Sequence, residues 1–201
     1  MGLSFNELAP LLRQARDRYR SNALEAFAGI EPKICGRVQV VPFTLRMFVE
    51  LDGAGNRFLT GSDAPQIEDA LMFLWRVSPI YSRTDEETRN DFIRTVPLAI
   101  YPYGEAELVS QIIEYIRRTL SGAPLTKKSR GSDSVGTWIS SIVHIFAKEY
   151  GWTEDYILDL PLRRIWQYLN RILEDGNPKY KELCDEEQSL RAQWLREQNA
   201  N

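Results

Sequence analysis

The one histidine of the chain, His144, stands in the run Ile142-Val143-His144-Ile145-Phe146. A general base needs a nucleophile or a substrate proton within hydrogen-bond reach, and no Ser or Cys motif signals one for it. Its apolar neighbours predict a partly buried or rim histidine on a helix. A lone imidazole also excludes most multi-His metal sites. Cys35 and Cys184 stand far apart, with neither a CxxC spacing nor a disulfide framework, and are expected as two reduced thiols. The carboxylates Glu86-Glu87, Glu105 with Glu107, and Asp185-Glu186-Glu187 fall at predicted helix ends. Catalytic acid pairs need a cleft that raises one pKa, and nothing around them signals a cleft. The stretch Asp52-Gly53-Ala54-Gly55 lacks the Lys and Ser/Thr of a phosphate loop and follows a predicted helix, so it is expected as a turn. These residues predict a chain that is not an enzyme, with no catalytic residue, no metal and no cofactor.

The sharpest local pattern is Ala147-Lys148-Glu149-Tyr150-Gly151-Trp152-Thr153-Glu154-Asp155-Tyr156-Ile157. A small residue, a glycine and a β-branched residue recur at helix-turn-helix spacing: close approach, turn, and packing between the helices. The chemistry does not suit DNA. A reading helix needs Arg, Lys, Asn, Gln or Ser at base edges, and here the second helix carries Glu154, Asp155 and Asp159 and is cut by Pro161. It reads as a structural helix corner. Arg163, Arg164 and Arg171, with Lys127, Lys128 and Arg130, keep DNA binding as the alternative.

Helical periodicity dominates the elements that would hold these residues. A helix is expected over 5–27, with Ser4 and Glu7 as a capping box and Gly29 as its stop. Residues 30–41 read as an extended connector, because the β-branched run Val38-Gln39-Val40-Val41 has no obvious partner in sequence. Pro42 is expected to open a helix through Leu51. Ser62 or Asp63 with Pro65 starts one through Trp75, and Ser78-Pro79 stops it. Further helices are expected over 85–96, broken by Pro97, and over 105–120. The Gly-, Pro-, Ser- and Lys-rich stretch 122–135 follows. Asp133 or Ser134 caps a helix to Tyr150, Thr153 caps a short one, and Pro161 opens another to about residue 174. A charged terminal helix over 179–197 keeps Tyr180, Leu183, Leu190, Trp194 and Leu195 on one stripe. The expected fold class is all-α: an irregular multi-helix bundle with a helix-turn-helix-like corner and a charged C-terminal helix. An N-terminal helical region 1–122, a flexible linker or loop 123–135 and a C-terminal helical region 136–201 are expected to make one compact domain.

Composition bounds the partners. The chain has 201 residues, 43% hydrophobic and 26% charged, with 25 Lys+Arg against 28 Asp+Glu and a net charge of -3. The hydrophobic share is that of a globular protein and not of a disordered one. A nucleic-acid binder normally shows a basic excess, which is missing. The opening Met1-Gly2-Leu3-Ser4-Phe5-Asn6 lacks the basic and apolar regions of a signal peptide, and no apolar run approaches the ~20 residues that cross a bilayer. Aromatic residues make up 11%, with five Trp, more than a core alone requires.

Gly151-Trp152-Thr153, then Ile157-Leu158-Asp159-Leu160-Pro161-Leu162 and Trp166-Gln167-Tyr168-Leu169, resembles a segment of tailed-phage and prophage tail assembly chaperones. The upstream counterpart is the helix over 43–51, then Phe58-Leu59-Thr60-Gly61 and Phe73-Leu74-Trp75 with Ser78-Pro79. The similarity spans about residues 40–170. It implies a non-enzymatic protein of the host cytoplasm that binds the tape-measure protein, or another tail protein, and keeps it soluble during tail assembly. A homo-oligomer is possible on the same ground, and neither nucleic acid nor a membrane is an expected partner. The alternatives are a helix-turn-helix DNA-binding packaging or regulatory protein, and a structural head-tail connector. Expected protein-binding residues are Trp152 at the helix corner, then Trp194 on the terminal stripe, with Trp166, Leu160 and Tyr156.

Overall fold

The computed structural model describes residues 5–28, 33–61, 63–81, 83–101, 103–120, 138–176 and 185–199. They form ten helices and one two-stranded hairpin: α1 (Phe5–Ala28), β1 (Lys33–Ile34), β2 (Val38–Gln39), α2 (Leu45–Gly53), α3 (Arg57–Thr60), α4 (Ile67–Arg76), α5 (Glu86–Ile100), α6 (Gly104–Leu120), α7 (Trp138–Tyr150), α8 (Glu154–Leu158), α9 (Leu162–Gly176) and α10 (Asp185–Asn199). The fold is all-α, as the periodicity predicts. Among the described residues no helix is long and apolar enough to cross a membrane. Ser4, Gly29, Ser62, the stretch 122–135 with its two candidate caps, and Cys184 lie outside the described residues.

Contacts divide the chain into two compact units, one of residues Met1–Ile30, Leu120–Ser129 and Arg163–Asn201, the other of Glu31–Thr119 and Arg130–Leu162. Each is discontinuous, so the expected regions 1–122 and 136–201 both supply segments to both units. In the first unit α1 packs along α10. Phe27 meets the Tyr168 ring edge-on at 6.2 Å, and the Arg164 guanidinium lies 5.4 Å from the Phe27 ring centre. On α9, Ile165, Trp166 and Asn170 are buried while Arg171 is exposed and pairs with Asp175 at 2.9 Å.

The second unit is built around Phe43, Phe73 and Tyr115, whose ring centres lie 5.6, 6.0 and 6.4 Å apart. The Tyr115 hydroxyl donates to the Val41 carbonyl at 2.8 Å, so the half-buried ring does not strand its polar end. Asn56 is fully buried and bonded at both of its side-chain polar atoms. Its side-chain oxygen accepts from Phe58 N at 3.2 Å, capping α3, and its amide donates to the Asp69 carbonyl at 2.9 Å. Phe43–Leu45 and Leu160–Leu162 then run antiparallel: Leu45 N donates to the Leu160 carbonyl at 3.2 Å and Leu162 N to the Phe43 carbonyl at 2.9 Å. Pro161 sits opposite Thr44 between these two bonds, where no N–H is called for.

Several local expectations are corrected. The 30–41 connector contains a hairpin, since Ile34 pairs with Val38 only four residues on. Cys35 (φ 52) and Gly36 (φ 63) both take the left-handed conformation of a tight hairpin turn. Cys35 N donates to Gln111 Oε1 at 2.6 Å, and burial pushes its thiol pKa up, with Glu107 adding to the rise. Helix α2 starts at Leu45 and not at Pro42, and the Thr44 hydroxyl caps it by accepting from Met47 N at 3.2 Å. Gln66 and not Asp63 precedes α4, and Asp69 closes the turn by accepting from Gln66 N at 2.9 Å. Pro97 lies inside α5, which runs on to Ile100; the proline removes one donor without ending the helix.

Candidate protein-docking site

The corner between α7 and α8 gathers four aromatic side chains. Gly151 ends α7 in the left-handed conformation (φ +67), and its N–H donates to the Ala147 carbonyl at 3.0 Å. Thr153 then opens α8 with extended backbone, its hydroxyl accepting from Tyr156 N at 3.3 Å. Trp152 is thereby fixed between a helix stop and a helix start. Its ring stacks on Tyr150 (4.6 Å, 22° between planes) and meets Phe146 at 5.8 Å and Tyr156 at 5.2 Å edge-to-face. Phe146 is fully buried and anchors the group, Trp152 is half-buried, and Tyr150 and Tyr156 are 39% and 52% exposed. Ile157 is buried beneath α8 as the helix-corner pattern predicts. Ala147 is exposed, so the expected close approach of two helices does not occur there.

Arg46 of α2 holds α8 by Asp155 in its first turn and by its C-cap Asp159. Its Nε donates to Asp159 Oδ1 at 2.6 Å and its Nη2 to Asp155 Oδ1 at 3.0 Å. These bonds, to Asp159 first and Asp155 second, raise the guanidinium pKa above its ordinary value. The would-be reading helix is five residues long, Glu154–Leu158, and its Asp155 and C-cap Asp159 are engaged with Arg46.

The five expected binding residues separate. Trp152 and Tyr156 meet at this corner. Leu160 is buried in the seam against Leu45, and Trp166 is buried on α9, so the structure corrects both from surface to interior. Trp194 belongs to the other unit, half-buried, with its indole nitrogen enclosed and without an acceptor. The remaining tryptophans divide likewise. Trp75 is buried against Tyr81 and Phe92, and Trp138 is exposed with its ring 5.0 Å from Phe48. His144 is exposed, as are Ser140 and Ser141 one turn earlier. Among the described residues no group of three or more His, Cys, Asp or Glu is placed to hold a metal ion.

Two surfaces are not signalled in the sequence. Glu50 pairs with both Arg76 and Arg83 at a cleft of about 410 Å³ that Trp75 and Tyr81 also line. Arg76 is mostly buried with its guanidinium 4.3 Å from the Tyr81 ring centre, and desolvation lowers its pKa. These charges come from α2, α4 and the loop after it, and answer one another. At the α5–α6 connection, Leu98 and Tyr101 are 75% and 85% exposed. Tyr101 makes no ring contact among the described residues, whereas each ring at the α7–α8 corner is braced by another.

Within the second unit, the segments 43–45, 58–73 and 160–162 are joined by ring contacts and backbone hydrogen bonds. Phe43 and Phe58 both pack on Phe73, and Leu160-Pro161-Leu162 is bonded to the backbone beside Phe43. Compared with protein-family models, with curated proteins and with solved structures, the chain finds no match.

Proposed function

We propose that this chain is a non-enzymatic, protein-binding assembly chaperone of the phage-tail type. Its client is a helical segment of the tape-measure protein or another tail protein, held in the host cytoplasm until assembly proceeds. The observation that carries the docking part is the α7–α8 corner: Tyr150 and Tyr156 exposed around a half-buried Trp152, on a buried Phe146. Rigid aromatic rings lose little conformational entropy on binding and supply large contact areas, the properties of an interface hot spot. The tail-assembly part rests on the segments quoted above, from Phe43 to Leu169.

Co-expression with the tape-measure protein tests the proposal. The client is expected to remain soluble and co-purify with the chain, and Tyr156→Ala is expected to abolish co-purification while leaving helical content unchanged. A client that precipitates equally with and without the chain overturns the chaperone reading. Presence of the chain in purified particles would instead favour the head-tail connector. A salt-sensitive shift of duplex DNA at about 150 mM salt would favour the DNA-binding alternative.

A further inference from the structure

Carboxylates outnumber cations around the aromatic corner. Between Ala147 and Ile157 the chain carries Glu149, Glu154 and Asp155 against a single Lys148. All three carboxylates are exposed. Asp155 is engaged by Arg46, but Glu149 and Glu154 have no ion-pair partner among the described residues. They flank Trp152 in sequence, one on the last turn of α7 and one on the first residue of α8. The faces of the exposed Tyr150 and Tyr156 rings carry the negative end of the ring quadrupole, which attracts cations and adds to the carboxylate field. Apolar contact and negative potential thus coincide on one surface.

We infer that the corner takes a Lys- or Arg-bearing amphipathic segment of a partner protein. Its apolar side chains lie on Tyr150, Trp152 and Tyr156, and its cations face Glu149 and Glu154. The inference rests on the docking reading above and adds the partner's chemistry to it. Arginine suits the site best, since its planar guanidinium stacks on an aromatic face and offers a fork to a carboxylate. Acidic segments and nucleic-acid phosphates are repelled by the same two glutamates.

Two labelled synthetic helical peptides with one Leu/Phe stripe test this, the polar face being Arg and Lys in one and Gln in the other. Each is titrated with the full chain by fluorescence anisotropy. The basic peptide is expected to bind about tenfold more tightly at about 50 mM salt, with the advantage shrinking as salt rises. Glu149→Gln with Glu154→Gln removes most of that advantage and leaves the Gln peptide's affinity unchanged. Asp52→Asn with Glu105→Gln, the same change of net charge on exposed residues elsewhere, leaves the advantage intact. Equal affinity for the two peptides, with binding still dependent on Tyr156, overturns the charge inference and leaves the docking reading standing. An equal loss in the control pair overturns it also, by making the attraction one of net charge alone. If neither peptide binds, both fall together.

Discussion

Two aromatic clusters of the same unit, one of Phe and Tyr and the other with a Trp besides, have similar ring spacings and differ in exposure. Phe43, Phe73 and Tyr115 lie 5.6–6.4 Å apart, with both phenylalanines buried and the one hydroxyl bonded inward to Val41. Phe146, Tyr150, Trp152 and Tyr156 lie 4.6–5.9 Å apart along their chain of contacts, yet only Phe146 is buried. Ring-to-ring contact contributes about 0.5–1.5 kcal/mol per pair in either setting. What separates the clusters is the outer face. In the first it meets other core side chains, and its area has already been removed from water. In the second much of it still meets water, so covering it remains available as a driving force for association, at about 25 cal/mol per Å² of apolar surface. Ring content alone therefore does not mark the docking site proposed above; the proposal rests on uncovered rings over a buried anchor.

The comparison breaks most visibly at its centres. Phe73→Ala should cost about 3–5 kcal/mol, because a fully buried ring leaves a cavity. Tyr156→Ala should cost less than about 1 kcal/mol, because half of that ring already faces water. Urea denaturation of the two variants measures both, and equal losses would erase the distinction. A smaller effect sharpens how the open cluster is held. Arg46→Met should remove about 0.5–1 kcal/mol, since the pair with Asp155 and Asp159 is largely solvent-exposed. It should also speed amide exchange in α8 more than in α4, as native-state exchange would record.

The smallest effect lies at a half-exposed ion pair on α6, beside Tyr115 in sequence, and serves as a baseline. Hydrogen bonds from Arg117, then Arg118, hold the Glu114 carboxyl down at about 2. A carboxyl depressed on folding stabilises above its unfolded value, here 4.5, and that contribution is lost as pH falls toward about 2. The Glu114 side chain is 40% exposed, so the contribution is screened to about 0.5 kcal/mol or less. Glu114→Gln should therefore lower the melting temperature slightly at neutral pH. The gap from the parent should close as pH falls from 4.5 toward 2, which calorimetry across that range checks.

Much of the helical fold is legible in the sequence, because amphipathic spacing over long segments fixes α1, α4, α6 and α7 to within a few residues. What escaped depends on contacts distant in sequence or on one side chain's reach. Helix α2 starts after Thr44 and not at Pro42, because the Thr44 hydroxyl accepts a backbone N–H of the first turn. The β1–β2 hairpin escaped because Cys35 carries an uncommon positive φ that Gln111, 76 residues away, helps to hold. At the site, Gly151 and Thr153 signalled the corner, and Trp152 followed from its place between them. Leu160 and Trp166 were misplaced because an apolar residue in a motif carries no mark of which side it faces. The antiparallel seam from Phe43 to Leu45 that buries Leu160 is visible only in three dimensions. The Glu50–Arg76–Arg83 cluster had no local signal, since its members stand on separate elements.

Site-directed photocrosslinking tests the docking surface most directly, because it compares the braced corner with the most exposed ring of the same unit. A benzophenone side chain placed at position 156, or separately at position 101, is irradiated with the tape-measure client bound. A client adduct at 156 and none at 101 is the predicted result. An adduct at 101 with none at 156 would move the interface to the α5–α6 connection and contradict the assignment of the aromatic corner.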